Sequence, residues 1–278
     1  MLKKYLMYCM LAFVCLNSLG QEKNIIKTSK ALKDSIKHKY VTNGAERYSY
    51  FSHEWQLYLD SALAIIPDDA SLWELKSMPY DKSRKYEMGE KYLDKAVELD
   101  AYNYLDLRAF QKCIFYKKYK EALIDYEGAV KLKGNYTMME HPYSFYQGIC
   151  YLGLNEFDSA MKYFDRTINT EQKTGGDSFV HFMDWFYRGI TLMEKEDYEA
   201  AITNFDKTLS RYHNFSDVQY YKSICLRKLN RAEAADKLLD EAYDNFKKGY
   251  SFTEDNAIYE KYPYQLSGYM IKYHGKSM

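Results

Sequence analysis

The chain has 278 residues, 39 basic against 39 acidic side chains, and a hydrophobic fraction of 47%. The balance leaves no global field for nucleic acid or an anionic membrane, and a charged fraction of 28% excludes an integral membrane body. The outlier is aromatic content, with 31 Tyr, 14 Phe and 3 Trp; tyrosine suits half-buried surfaces and interfaces because its ring packs while its hydroxyl stays wet.

The first element in chain order is "MLKKYLMYCMLAFVCLNSLG". Lys3 and Lys4, an apolar run from Tyr5 to Leu16, and small residues at Ser18 and Gly20 read as a cleaved export signal over 1–20, leaving Gln21 as the new N-terminus. The apolar run is too short for a membrane span, so none is expected after cleavage. Export points to the periplasm. Secretion is one alternative, and a lipid anchor through Cys15 is another, although Val14 stands where lipoprotein signals place a small residue. Residues 21–35 then form a leader. Of the five cysteines, Cys113, Cys150 and Cys225 lie beyond the signal. They are odd in number and lack CxxC spacing, which argues for buried thiols rather than disulfides or a zinc site.

From residue 36 onward apolar residues recur at three- and four-residue intervals, the helical period. Residues 36–69 hold a degenerate unit with Leu59, Ala62 and Pro67. The unit over 70–103 carries Trp73, Tyr80, Gly89, Leu93 and Ala96; Pro79 inside its first helix predicts an end or kink near Ser77–Met78. Further units are anchored at Ala122, Ala160, Ala201 and Ala235. Each has Tyr119, Phe157, Tyr198 or Ala232 three residues before, Tyr126, Phe164, Phe205 or Leu239 four after, and Ala129, Thr167, Thr208 or Ala242 seven after. Gly148, Gly189 and Ser223 stand twelve before their anchors, and the last two anchors are 34 residues apart. The stretch "DLRAFQKCIFYKKYKEAL" is one residue longer than this pattern. A short insertion falls near Thr137–Glu140, and "TEQKTGGDS" adds seven residues, predicted as a mobile loop around Gly175-Gly176. The segment 250–278 is predicted as a capping helix with an irregular end.

Small residues at these spacings fall where two helices cross, and aromatics fill the wedge between successive helix pairs. No pair can bury its apolar face alone, so neighbours must stack. At these residues the chain resembles the tetratricopeptide repeat (TPR) family, with about five repeats over 70–249. The resemblance implies an all-α fold, a TPR-type α-α solenoid in which antiparallel helix pairs wind into a right-handed superhelix. It also implies a concave face, lined by the first helix of each pair, that holds a protein or peptide partner. The family's concave positions map onto Phe145, Ile149 and Leu152, then Met183, Phe186, Ile190 and Met193, then Tyr220, Ile224 and Arg227, with Tyr146, Tyr187 and Tyr221 adjoining. The carboxylate clamp of co-chaperone TPRs is missing, because Phe145, Ile149, Phe186 and Ile190 occupy its places.

No cluster with catalytic spacing is present. The six histidines (His38, His53, His141, His181, His213 and His274) form no HxxxH or HExxH pair, and the terminal "HGKSM" lacks the first glycine of a phosphate loop. Neither a metal nor another cofactor is expected, nor is enzyme activity. The expected function is an envelope interaction scaffold or adaptor binding a partner segment in its groove. The alternative is a glycan- or cell-wall-associated binding protein, argued from tyrosine abundance.

Overall fold

The computed structural model describes residues 29–273. The signal over 1–20, with Cys9 and Cys15, lies outside the described residues, as does most of the leader. Two compact units divide the chain after Asp69. In the first, α1 (Lys30–Lys37) starts at Ser29, whose hydroxyl accepts the Leu32 amide at 3.3 Å, and passes into a π turn over His38–Thr42. A 3₁₀ turn (Ala45–Arg47) leads to α2 (His53–Leu63), capped in the same way by Ser52. Val41, Ala45, Trp55, Leu59, Ala62 and Ile66 form its buried core.

The second unit is built from five helix pairs: α3 (Ala70–Lys82) with α4 (Tyr86–Leu99), α5 (Ala101–Phe110) with α6 (Tyr119–Lys133), α7 (Tyr143–Gly153) with α8 (Phe157–Gly175), α9 (Phe182–Glu194) with α10 (Tyr198–Arg211), and α11 (Ser216–Lys228) with α12 (Ala232–Lys247). Each helix packs on the next along the chain. The crossing-point logic holds at atomic detail. Ala122, Ala160, Ala201 and Ala235 are fully buried. A methyl group built on Gly148 would stand 2.6 Å from Phe164 Cε1, and one on Gly189 would stand 2.6 Å from Phe205 Cε1. Glycine is what lets each first helix lie against the aromatic ring of its second.

One turn geometry joins every pair. Arg84, Lys117, Asn155, Glu196 and Asn230 adopt φ of 59°, 55°, 59°, 61° and 60°, the left-handed conformation that closes a helix C-terminus. The next amide bonds back to the carbonyl five residues earlier: Lys85 to Tyr80, Glu156 to Tyr151, Asp197 to Leu192 and Arg231 to Leu226. In the second pair the bond runs from Lys118 to Lys112, six residues. There α5 continues into a π turn over Gln111–Phe115, so the one-residue excess seen in the sequence is absorbed as a wider turn that keeps the pairs in phase.

Two local expectations are corrected. Of the end or kink expected near Ser77–Met78, the end does not occur: helix α3 runs through Pro79 to Lys82, with Pro79 buried and the helix packed against α4. The "TEQKTGGDS" insertion is not a loop in its first half: α8 extends to Gly175 and stops where Gly176 takes φ +72°, followed by a 3₁₀ turn at Asp177–Phe179. Thr, Glu, Gln and Lys carry the helix on at small cost until glycine ends it. The insertion before α7 forms a minimal hairpin, β1 (Thr137–Met138) against β2 (His141–Pro142), with Met139 and Glu140 both at positive φ in its two-residue turn.

The C-terminal segment follows an irregular course. Beyond Gly249 the described residues hold a 3₁₀ turn (Asp255–Ile258) and a short α13 (Gly268–Tyr273). Part of it lies on the last pair, where the Ser251 hydroxyl and the Leu266 amide donate to Asp217. It turns back across the array and bonds to residues as distant as Arg84, whose Nε donates to the Tyr259 carbonyl at 3.2 Å.

Candidate functional site

The first helices bring the expected residues onto one side of the second unit, but that surface is not open. Phe145, Ile149, Leu152, Met183, Phe186 and Ile190 are buried, and Tyr220 is 3% exposed. Only Met193, Ile224 and Arg227 remain partly accessible, with Arg227 ion-paired to Asp236. Two causes account for the burial. Some rings face backward into their own pair: Phe145 lies 6.2 Å from Phe164 and Phe186 lies 6.4 Å from Phe205. Others meet the chain's own C-terminal segment, which occupies the face where a partner was expected.

The seat of that segment can be followed residue by residue. The Tyr250 carbonyl accepts the Ser216 amide at 2.9 Å, and the Ser251 hydroxyl donates to Asp217 Oδ2 at 2.8 Å. Phe252 then enters a cage of rings, 5.6 Å from both Phe186 and Phe215, 6.4 Å from Tyr187 and 5.9 Å from Tyr262. The far bend is held by Arg84 and by Tyr86, whose hydroxyl donates to Glu260; Lys117 donates to the Lys261 carbonyl, and Lys82 sits 4.8 Å over the Tyr259 ring. On the return, the Tyr187 hydroxyl donates to the Pro263 carbonyl at 3.0 Å and Tyr264 donates to Glu194 at 2.8 Å. The Leu266 amide closes the loop on Asp217 Oδ1 at 2.7 Å. Burial pushes the Asp217 carboxyl up to about 6 against the pull of these donors.

Beside the returning strand an open cleft of about 480 Å³ remains. Its walls include Met193, Tyr220 and Ile224 from the expected set, with Tyr264 and Met270 from the segment itself. This is where predicted binding residues still meet solvent. Tyr221 belongs here too, 5.7 Å from the Tyr264 ring.

A second constellation was invisible in the sequence. His141 at the start of β2, His181 before α9 and Asp184 in the first turn of α9 bring one ligand atom each within 4.8 Å of one another. His141 and Asp184 are fully buried. Their rings and carboxyl come from successive helix pairs, so no single helix carries the pattern. Burial, aided by the neighbouring His141 ring, drops His181 to about 4, and burial followed by Glu171 holds the Asp184 carboxyl well above the usual carboxylate range. Aligning the copies on Gly148 and Gly189 would have set the two histidines within one position of each other.

Models of the tetratricopeptide repeat match residues 70–103 and 144–171. No curated protein matches the chain in sequence. Among solved structures it is similar to PilW, a widely conserved type IV pilus biogenesis factor, at 14% identity and a TM-score of 0.62, covering 83% of this chain and 99% of that one. It is also similar to PilF of Pseudomonas aeruginosa, at 13% identity and a TM-score of 0.57, covering 78% and 99%. MamA of Desulfovibrio magneticus RS-1 gives 13% identity and a TM-score of 0.54, covering 64% and 96%. At these identities the likeness is one of fold. No helix among the described residues is long and apolar enough to cross a membrane. Two repeat models matched in place, on helix pairs that share one crossing geometry and one turn, show that the chain carries tetratricopeptide repeats in an all-α solenoid.

Proposed function

We propose that the chain is an interaction scaffold of the bacterial envelope that takes an extended, aromatic-bearing protein segment on the face of its first helices. The observation that carries this reading is the chain's own segment 250–266. Its contacts support such a ligand: Tyr187 and Arg84 donate to its backbone carbonyls, Asp217 accepts its Leu266 amide, and the Phe186–Phe215 cage takes its Phe252 ring. A preformed rigid surface lowers the ordering cost of such a ligand, and aromatic anchors in pockets supply most of its affinity. The signal-like first twenty residues support an envelope setting, as does the fold shared with a pilus biogenesis factor.

On this reading Met193, Tyr220, Ile224 and Arg227 are the residues a partner meets first. Phe145, Ile149, Leu152, Met183, Phe186 and Ile190 shape the floor from behind. Glycan binding is less well served, since Tyr126, Tyr143, Tyr146 and Tyr187 are fully buried and offer no ring face to a sugar. The test uses the full chain carrying Phe252→Ala and Tyr264→Ala, which loosen the resident segment. A fluorescent peptide of residues 250–267 should bind this variant at least tenfold more tightly than wild type in an anisotropy titration. Adding Ile224→Glu should abolish the binding. A peptide that binds neither protein would sink the reading.

A further inference from the structure

The cluster of His141, His181 and Asp184 lies apart from the groove residues, with His141 and Asp184 fully buried. Its atoms are in an unusual condition. Both carboxyl oxygens of Asp184 and Nδ1 of His141 are buried and have no hydrogen-bond partner. On the far side of the His141 ring, Nε2 faces Glu254 Oε1 at 3.3 Å. If that nitrogen carries the ring proton, Nδ1 presents a lone pair, so three acceptor atoms are buried together without a donor. Leaving buried acceptors unsatisfied is destabilising, the more so when one is a charge. An isolated buried carboxylate costs more still.

We propose that His141, His181 and Asp184 form a binding site for a divalent transition-metal ion of the Zn²⁺ type. Two imidazoles and a carboxylate are a donor set that Zn²⁺ accepts, with a fourth position for water or a further carboxylate. Atoms that lie within 4.8 Å of one another stand at most about 2.8 Å from their common centre, so inward shifts of about 0.7 Å reach Zn–N and Zn–O bond lengths. The outer contacts have the pattern that metal-binding histidines use: Glu254 on the far nitrogen of His141 would fix its tautomer. Glu171 lies within hydrogen-bonding reach of Asp184 and already accepts the His181 amide at 3.1 Å, which places it as the fourth ligand or as the anchor of the water. His181 Nδ1 now accepts the Met183 amide at 3.3 Å. Ligation through its Nε2 moves the ring proton to Nδ1 and gives up that long contact.

The rival occupant is a proton. A protonated Asp184 could donate to Glu171, but it would satisfy one oxygen and leave the other, together with His141 Nδ1, without a partner. An ion satisfies all three. It would also join the β1–β2 hairpin and the first turn of α9 to each other, and through His141 to the C-terminal segment at Glu254. This proposal does not depend on what the groove binds.

The test uses the full-length chain, stripped with a chelator and titrated with Zn²⁺ and Co²⁺. One ion should bind per chain, Co²⁺ should develop the visible absorption of a four-coordinate site, and Zn²⁺ at a hundredfold excess over its Kd should raise Tm by about 5–10 °C. Asp184→Asn and His181→Gln should each lose the Tm shift and the Co²⁺ spectrum, while exposed His213→Gln keeps both. Without metal, Asp184→Asn should melt no lower than stripped wild type, since the amide removes an unpaired carboxylate. Absence of stoichiometric binding to wild type overturns the proposal, and so does a Zn²⁺ shift that survives Asp184→Asn.

Discussion

Replacing Phe252 by alanine tests whether the C-terminal segment is a separately docked part of the fold. The ring touches four aromatic neighbours at centroid distances between 5.6 and 6.4 Å, yet is itself only half-buried. Full burial of a phenylalanine makes truncation cost about 3–5 kcal/mol, so a half-buried one should cost about 2–3 kcal/mol. Because Phe186, Phe215 and Tyr187 are held by their own helices, that loss should fall on docking of the segment and leave the array intact. At about 1.4 kcal/mol per tenfold, the undocked fraction should rise roughly 30- to 150-fold. Native-state hydrogen exchange reads this directly. The Leu266 amide, bonded to Asp217, and the Ser216 amide, bonded to the Tyr250 carbonyl, should lose protection by that factor. Amides in α4 and α9 should not change. Equal loss of protection in the segment and the array would refute the argument, because the segment would then be part of the single cooperative unit.

Two further outcomes follow from the array. Burial pushes the Asp81 carboxyl up to about 7, despite the Tyr116 hydroxyl that donates to it at 2.7 Å. The native state therefore holds a proton that the unfolded chain releases near pH 4, and Asp81 lowers stability progressively as pH rises from about 4 to 7. Asp81→Asn should remove this slope, so urea melts at pH 5 and pH 8 should show the variant gaining on wild type by up to about 1.4 kcal/mol per pH unit within that window; a constant difference would contradict the assignment. Gly189→Ala should place a methyl 2.6 Å from the buried Phe205 ring and 3.3 Å from Asn204 Cβ. Overpacking of about 1–3 kcal/mol, offset by about 1 kcal/mol of helix propensity, predicts a net loss of about 1 kcal/mol and a Tm lower by about 2–4 °C. A higher Tm would mean that Phe205 can yield.

The solenoid was legible because its determinants are local and repeated. Ala160, Gly148 and Phe164 lie within seventeen residues, and each copy restates the relation. The extra residue before Tyr119 was legible as a count but not as a π turn, since where a helix widens depends on its packing. Whether the rings of the first helices line a groove or pack between helices and under the tail was not legible, for a physical reason. Stripes such as Phe145, Ile149 and Leu152 identify a side that is covered, and they do not say by what. Its cover comes from contacts such as Arg84 with Tyr259, 175 residues apart. An aromatic stretch like "YSFTEDNAIYEKYPYQL" has no helical period to announce where it docks. The histidine cluster failed to show for a related reason: a search along one helix cannot find ligands that meet only when neighbouring pairs stack.

Self-occupancy has a consequence for the proposed function that affinity arguments alone would miss. A tethered segment competes at an effective concentration in the millimolar range, however weak its contacts. If docking is worth about 3 kcal/mol, the face is free about once in 150 molecules, and a partner using the same seat binds more weakly by that factor. Selection then falls on partners that need not wait for full release. The cleft beside the returning strand meets that requirement, since its walls mix fixed residues, Met193 and Ile224, with Tyr264 and Met270 of the segment. A partner engaging Ile224 first can displace Tyr264 from Glu194, then Pro263 from Tyr187, and only then Phe252 from its cage. Each step exchanges one set of contacts for another and never exposes the whole face. On the proposed reading, exchange from that end trades the contacts of Tyr264 before those of Phe252, whose four ring neighbours make it the last to yield.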